Sequence, residues 1–164
     1  IGTYNITNML AAITIGLRFG VSPEQICHAL EHYIPSNNRS QLTVTQRNSL
    51  IVDAYNANPT SMKAAVDNFA FMQVDHKMAI LGDMRELGAV SHEEHQRIAD
   101  HIASLGLKDV WLVGEEFAHT DTAYRKFSDV EEVKQALADN DIRDHYILIK
   151  GSNGIHLYEL PPLL

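Results

Sequence analysis

Short apolar runs alternate with amphipathic segments through most of this 164-residue sequence. Four of the runs have the length and composition of buried strands, and they cover residues 50–52, 78–81, 110–113 and 146–149. Between them, apolar residues recur at helical spacing. Strands that alternate with helices in this way are typical of parallel βαβ units. The sequence therefore predicts an α/β fold, with a mostly parallel sheet and helices on both faces.

Helix-start signals support this alternation. Asn58 and Pro59 have the residue types of an N-cap and a first helical position. Ser91 and Glu94 have the spacing of a capping box and predict a helix that opens at Ser91. Residues 130–137 predict a third helix. The inward side chains of the helix after Ser91 are predicted to be Ile98, Ile102 and Leu105.

The first 35 residues predict two more helices with no strand before them. Gly20 is the expected C-cap of the first, and Ser22, Pro23 and Gln25 form a capping-box pattern at the start of the second. Cys27 lies in this apolar pattern and is expected to be a small core residue. The predicted apolar faces consist of Ile6, Met9, Leu10, Ile13 and Leu17, then Ile26, Ala29, Leu30 and Tyr33.

A polar, turn-rich stretch at residues 35–40 is the best linker candidate. Two helices alone make a poor domain, and the sequence starts in the middle of a helical pattern. We therefore expect residues 1–35 to be the helical end of an upstream domain, and residues 36–164 to form one complete α/β domain.

Charge and cysteine content disfavour several kinds of partner. The sequence has 13 basic and 21 acidic residues and a net charge of −8, without a basic cluster. Nucleic acids and anionic membrane surfaces are therefore not expected partners. The single cysteine cannot form an internal disulfide, and neither a leader nor an apolar run of about 18 residues is present. We expect a cytoplasmic protein that binds small molecules.

Ligands of parallel α/β sheets bind at the carboxyl ends of the strands. The loops to consider are therefore residues 53–58, 82–89, 114–117 and 150–154.

The first of these loops places a carboxylate and two amides close together. Asp53 could accept hydrogen bonds from a ribose diol, and Asn56 and Asn58 offer the donors and acceptors that a base edge needs. The alternative is turn chemistry, in which these side chains only turn and cap the chain.

The second loop carries Asp83 and Glu86. These carboxylates could hold an amine or a metal-bound water, pair with Arg85, or form an ordinary solvated loop. His95 lies on the inward edge of the next helix, in its first turn. It is either a site residue or a hydrogen-bonded structural histidine.

Two other polar groups are candidates. Lys150 and Ser152 follow the last strand and suit a carboxylate or a phosphate. Asn5 and Asn8 lie one turn apart on the first helix and could bind a base edge. The alternative is that Asn5 only caps the helix and Asn8 only contacts solvent. No P-loop or nucleophile motif occurs, and no residue spacing supports a metal site in this chain.

Five motifs occur in a fixed order: Y-N-x-x-N, N-R-S-Q, D-A-Y-N-A-N-P, L-G-D-M-R-E-L-G and K-G-S. Together they resemble the Mur ligases, and they span residues 4–152. The resemblance implies a three-domain, ATP-dependent amide ligase. Residues 1–35 would end its central ATP-binding domain, and residues 36–164 would form its carboxyl-terminal, Rossmann-like domain.

The third and fourth motifs resemble the family members that add D-alanyl-D-alanine to UDP-N-acetylmuramoyl-tripeptide in peptidoglycan precursor synthesis. The resemblance implies that the tripeptide carboxylate attacks the γ-phosphate of ATP, and that the dipeptide amine then attacks the acyl phosphate. The P-loop and the Mg²⁺ ligands would lie upstream, so this chain alone is expected to be inactive. The resemblance also implies a monomer.

The resemblance assigns roles residue by residue. The implied nucleotide-binding residues are Asn5, Asn8, Arg39, Asp53, Asn56 and Asn58. The implied substrate-binding residues are Asp83, Glu86, His95, Lys150 and Ser152. Arg39 would reach the phosphates and Asp53 the ribose, while Lys150 and Ser152 would contact the carboxylate of the incoming amino acid. Asn153 stands where the family often has arginine, which would leave Lys150 as the single cation for that carboxylate.

Other functions remain open at this point. A folylpolyglutamate-type ligase would add glutamate instead of the dipeptide. A nucleotide-binding module would have no catalytic partner domain, and a protein-interaction domain would not depend on Asp53.

Overall fold

The computed structural model describes residues 6–33 and 41–164, so the predicted linker at 35–40 lies outside the described residues. All four buried strands predicted from the sequence are present. The helices are α1 Ile6–Arg18, α2 Pro23–Glu31, α3 Pro59–Phe71, α4 Ser91–Ser104, α5 Glu115–Ala118 and α6 Val130–Asp139. The strands are β1 Gln41–Val44, β2 Ser49–Asp53, β3 Lys77–Gly82, β4 Asp109–Val113, β5 Arg125–Phe127 and β6 Tyr146–Lys150.

The strands form one sheet in the order β1-β2-β6-β3-β4-β5. Only β1 is antiparallel to its neighbour, which confirms the mostly parallel sheet. In the register, Asp53 lies beside Lys150 and Gly82 beside Val113. The carboxyl ends of β2, β6, β3 and β4 therefore share one edge of the sheet.

Helices cover both faces of the sheet, as predicted. One face packs against α3, α4 and α5 through residues such as Phe69, Ile102 and Phe117. The other packs against α6 and the carboxyl-terminal turns through residues such as Val133 and Leu157. The chain moves outward along the sheet from β3 to β5 and then returns to β6. Because βαβ crossovers are right-handed, this reversal places α6 on the opposite face from α4.

The helix starts are only partly as predicted. Asn58 caps α3: its side-chain oxygen accepts a hydrogen bond from the Ser61 N–H at 2.9 Å, and Ser61 Oγ accepts from the Asn58 N–H. The capping box predicted at Ser91 is wrong. A 3₁₀ turn at Gly88–Val90 leads directly into α4, so Ser91 already has helical dihedral angles (φ −53°, ψ −54°) and cannot act as an N-cap.

Helices α1 and α2 form as predicted, with Gly20 in the left-handed conformation and a capping box at Ser22. The expectation that Cys27 is buried is wrong, because its side chain is exposed. Ile26 of α2 packs against Gly16 of α1 where the two helices meet. Cys27 is the next residue of α2, and successive helix residues point about 100° apart, so its side chain is directed away from this contact.

The sequence did not indicate α5 or β5. Both are very short, at four and three residues, which is too short for a hydrophobic period to show. Among the helices within residues 6–33 and 41–164, none combines the length and apolarity that a membrane crossing requires.

Candidate functional site

Four loops meet at the carboxyl-terminal edge of the sheet, as the sequence predicted. Backbone hydrogen bonds join them. The Asn153 N–H donates to the Tyr55 carbonyl at 3.1 Å, and the Ser152 N–H donates to the Asp83 carbonyl at 3.1 Å. The Asp83 N–H donates to the Val113 carbonyl at 2.9 Å. The loops after β2, β6, β3 and β4 are therefore held as one surface.

An ion pair stands at the β2–β6 side of this surface. Lys150 is wholly buried, and its Nζ donates to Asp53 Oδ2 at 2.6 Å and to the Asn56 carbonyl at 3.2 Å. The Asp53 side chain remains 16% exposed. A buried ammonium requires such partners, because an uncompensated charge in the interior is costly. The pair thus fixes Asp53 at the edge of the surface.

This geometry changes the expectation for Lys150. The family resemblance implies that Lys150 contacts the carboxylate of an incoming amino acid. In the structure its ammonium has no exposed surface and neutralises Asp53, a carboxylate of the chain itself. Lys150 is therefore bound to Asp53 and Asn56, two of the predicted nucleotide residues, and its ammonium is not exposed to a ligand.

The structure describes only some of the other residues predicted to bind the nucleotide. The Asn56 side chain is exposed beside Asp53, while the Asn58 side chain serves as the N-cap of α3. Asn8 lies exposed on α1. Asn5 and Arg39 lie outside the described residues, so their predicted roles stay predictions.

Ser152 joins two loops rather than facing solvent. Its buried hydroxyl accepts a hydrogen bond from the Arg85 backbone N–H at 2.9 Å, and its own N–H donates to the Asp83 carbonyl. The geometry thus gives this side chain a part in positioning the loop after β3.

Asp83 is buried and holds the start of α5. Its two carboxylate oxygens accept hydrogen bonds from the backbone N–H groups of Glu116 and Phe117, each at 2.9 Å. Gly114 passes so close that a side chain there would overlap the Asp83 carboxylate. Burial raises the pKa of Asp83, and the two N–H donors act in the opposite direction.

His95 is completely buried beneath this loop. Its Nε2 accepts the Met84 N–H at 3.0 Å, and its Nδ1 lies 2.7 Å from the Ser91 carbonyl, to which it can donate. The ring also lies edge-on to Phe117 and 3.6 Å from Asp83. This is the structural alternative that the sequence left open, because a ring bonded on both nitrogens positions the loop and leaves neither free for a ligand.

A cleft of about 780 Å³ opens beside these residues. Glu86 lies exposed on its wall with a left-handed backbone (φ +67°), which is strained for a residue with a side chain. The carboxylates that line the cleft are Asp83, Glu86, Glu115, Glu116 and Asp129. Asp83 and Asp129 cap α5 and α6, so the other three remain to give the cleft a negative wall.

Several residues of the cleft were not among the site residues predicted from the sequence. Glu115 and Glu116 belong to the predicted loop at residues 114–117, although neither was predicted to be a site residue. The suggested pairing of Arg85 with the acidic residues of its own loop does not occur, since Arg85 binds the Gly154 carbonyl at 3.0 Å. His156 gave no sequence signal, because its place depends on how the carboxyl-terminal turns fold back.

The described residues do not form a metal site at this surface. Among residues 6–33 and 41–164, no three histidine, cysteine or acidic side chains come together as a metal site would require. The carboxylates of the cleft are spread along its wall or engaged as helix caps.

Comparison with known proteins identifies relatives over almost the whole chain. Residues 38–153 match the family described as "Mur ligase, glutamate ligase domain". A UDP-N-acetylmuramoyl-tripeptide–D-alanyl-D-alanine ligase from Treponema pallidum is 32% identical over 99% of this chain. The chain spans only 37% of that relative's length.

Solved structures agree on the fold. A UDP-N-acetylmuramoylalanyl-D-glutamyl-2,6-diaminopimelate–D-alanyl-D-alanyl ligase from Acinetobacter baumannii superposes with a TM-score of 0.83 at 29% identity, over 97% of this chain and 36% of its own. A bifunctional folylpolyglutamate synthase/dihydrofolate synthase from Yersinia pestis has a TM-score of 0.61 at 18% identity, over 87% of this chain and 34% of its own. The second likeness is one of fold alone.

Proposed function

The chain belongs to the Mur ligase family, and we propose that it is the carboxyl-terminal part of a ligase that joins D-alanyl-D-alanine to UDP-N-acetylmuramoyl-tripeptide with ATP. The observation that carries the proposal is the surface at the sheet edge. There the D-A-Y-N-A-N-P, L-G-D-M-R-E-L-G and K-G-S segments are joined by backbone hydrogen bonds, between a nucleotide-type loop and an acidic cleft.

An exposed apolar face on α1 supports the proposal that this chain is part of a longer enzyme. On α1, the apolar residues Ile6, Met9, Leu10 and Leu17 are between 46% and 57% exposed. An apolar helix face of this kind normally packs against other parts of a domain. We propose that residues 1–35 complete an upstream ATP-binding domain and that residues 36–164 form the terminal domain.

The residues after β2 fit a nucleoside. Asp53 is fixed by Lys150 with part of its carboxylate side chain exposed, as an acceptor for a ribose diol must be. The exposed Asn56 side chain lies beside it, and Tyr55 is 48% exposed in the same loop. We expect these residues to orient ATP, with Asn5, Asn8 and Arg39 contributing from their parts of the chain. Mg²⁺ would be held mainly upstream.

The acidic cleft fits the second substrate. A dipeptide enters as an ammonium group that must lose a proton before it attacks an acyl phosphate, and the carboxylates of Glu86, Glu115 and Glu116 would hold that ammonium. Asp83 and His95 act indirectly, because they fix the two loops that carry these carboxylates. The contribution to the rate would come from positioning the amine against the acyl carbon.

The test uses the full-length protein that contains this chain. Phosphate release and product mass are followed with ATP, UDP-N-acetylmuramoyl-tripeptide and either D-alanyl-D-alanine or glutamate. We expect phosphate release that depends on the dipeptide, and a product heavier by the dipeptide. The 164-residue chain alone should release none, because no P-loop motif occurs in it.

Two results would overturn the proposal. Ligation of glutamate in preference to the dipeptide would assign the protein to the folylpolyglutamate type. Nucleotide binding without any ligation would favour the non-catalytic module. Location in the cytoplasm and a monomeric state stay predictions of the family resemblance.

A further inference from the structure

Two basic side chains lie in the otherwise acidic cleft. Among the described residues that line it, only Arg85 and His156 are basic, against five carboxylates. They come from different loops and flank Gly154. A zwitterion such as a dipeptide carries a positive and a negative end, so a cleft that binds one needs both signs of charge.

Arg85 is held in place without being neutralised. Its backbone N–H donates to Ser152 Oγ, and its Nη2 donates to the Gly154 carbonyl. The guanidinium packs so closely on Gly154 that a Cβ there would lie 2.7 Å from its Cζ. No carboxylate within the described parts of the chain lies within ion-pair distance of it. Its remaining N–H donors can therefore take a carboxylate from outside the chain.

His156 is fixed through one side of its ring. Its Nδ1 lies 2.9 Å from the Tyr158 hydroxyl and 3.4 Å from Glu159, which in turn binds Lys134 at 2.6 Å. The backbone of His156 is left-handed (φ +64°), a strained conformation that functional positions often keep. Within the described residues, Nε2 makes no hydrogen bond, so it is the ring nitrogen that can bind a ligand in the cleft.

Lys150 cannot serve that purpose, since its buried ammonium is bound to Asp53. We propose that Arg85 and His156 bind the terminal carboxylate of the incoming dipeptide, in the same cleft whose acidic wall receives its ammonium. This assignment rests on the proposed function and names the residues that select the free carboxylate. It also explains how the chain can bind a dipeptide with Asn153 in place of arginine.

The test pairs a change in the protein with a change in the ligand. In the full-length protein, kcat and KM are measured for D-alanyl-D-alanine and for its carboxyl-terminal amide, which lacks the negative charge. The variants are Arg85→Gln and His156→Gln. Arg97→Gln is the matched control, because Arg97 is an exposed arginine on α4 that pairs with Glu93 and Glu94.

We expect Arg85→Gln to raise the KM for the dipeptide about tenfold to a hundredfold, and His156→Gln to raise it about threefold to tenfold. Both variants should leave the KM for the amide nearly unchanged, so that the preference for the free carboxylate collapses. Arg97→Gln should keep the wild-type preference. Gly154→Ala, which displaces the guanidinium without removing it, should resemble Arg85→Gln.

Three results would overturn the assignment. If Arg85→Gln and His156→Gln weaken both ligands equally, the two residues only support the loops. If both variants keep the wild-type preference, the carboxylate is bound elsewhere, while the proposed function stands. If the wild-type protein ligates neither ligand, the proposed function fails first and this assignment with it.

Discussion

Two aspartates at the same edge of the sheet are stabilised in different ways. Asp53 follows β2 and is neutralised by the buried ammonium of Lys150 on the neighbouring strand. Asp83 follows β3 and pairs with no lysine or arginine among residues 6–33 and 41–164; its carboxylate accepts hydrogen bonds from two backbone N–H groups at the start of α5. One carboxylate is thus compensated by a full charge and the other by peptide dipoles.

This difference sets the local charge of the two regions in which we propose that the nucleotide and the dipeptide bind. At Asp53 the charges of the pair cancel, so a neutral ribose and base can lie next to it. At Asp83 the compensation comes from peptide N–H groups, and the adjoining cleft keeps an excess of carboxylates over basic side chains. A ligand ammonium is therefore favoured beside β3 and β4 and not beside β2. Each of the two arrangements can be broken separately by substitution.

Breaking the ion pair should have the largest effect on stability. Asp53→Ala leaves the ammonium of Lys150 buried, with the Asn56 carbonyl as its one remaining partner among the described residues. We expect the free energy of unfolding to fall by about 3–5 kcal/mol, measured by urea denaturation.

The double variant Asp53→Ala/Lys150→Met is the internal control. Because it removes both charges, it should recover much of the loss. A double variant no more stable than Asp53→Ala would show that packing, and not charge compensation, holds the β2–β6 edge together.

Crowding the Asp83 carboxylate at the start of α5 should have the next largest effect on stability. Gly114→Ala adds a Cβ that overlaps the Asp83 carboxylate, at a backbone position (φ +122°) that strains any side chain. We expect a loss of about 2–4 kcal/mol in the free energy of unfolding.

Gly106→Ala is the matched control for Gly114→Ala. Gly106 also has a positive φ, of +72°, but nothing lies within 4 Å of the added Cβ. It should therefore lose only about 1 kcal/mol from backbone strain. Equal losses for the two variants would mean that the contact with Asp83 has no energetic importance.

Removing the charge of Asp83 should have the smallest effect at neutral pH, about 1–2 kcal/mol for Asp83→Asn. Burial raises the pKa of Asp83 in the folded protein above its usual value of 3.8. The folded state therefore binds the proton more tightly than the unfolded state does. The stability from this group is fully present below the unfolded pKa and is lost as the pH rises through the folded pKa.

The measurement is the difference in unfolding free energy between wild type and Asp83→Asn, from about pH 4 to about pH 8. This difference should be greatest at the acidic end and shrink as the pH rises. A difference that grows with pH would mean that the N–H donors outweigh burial and lower the pKa of Asp83 instead.

Much of the fold could be predicted from the sequence, because its signals are local. The four buried strands, the cap at Asn58, the helix pair at the start and the meeting of four loops at one sheet edge all follow from residue patterns a few positions long. The capping box at Ser91 and the burial of Cys27 failed for a related reason. Each depended on what precedes or covers the helix, which a short pattern does not contain.

The roles of individual site residues needed the tertiary structure. Lys150 and Asp53 are 97 positions apart, and Asp83 lies 34 positions from Phe117. The sequence by itself determined which residue types reach the carboxyl-terminal edge, because strand and helix periodicity set that. Only the tertiary structure decided that Lys150 is bound to Asp53, that His95 is buried and that Arg85 meets no counter-ion in the described part of the chain. Those outcomes depend on distances of a few ångströms between segments that are remote along the chain.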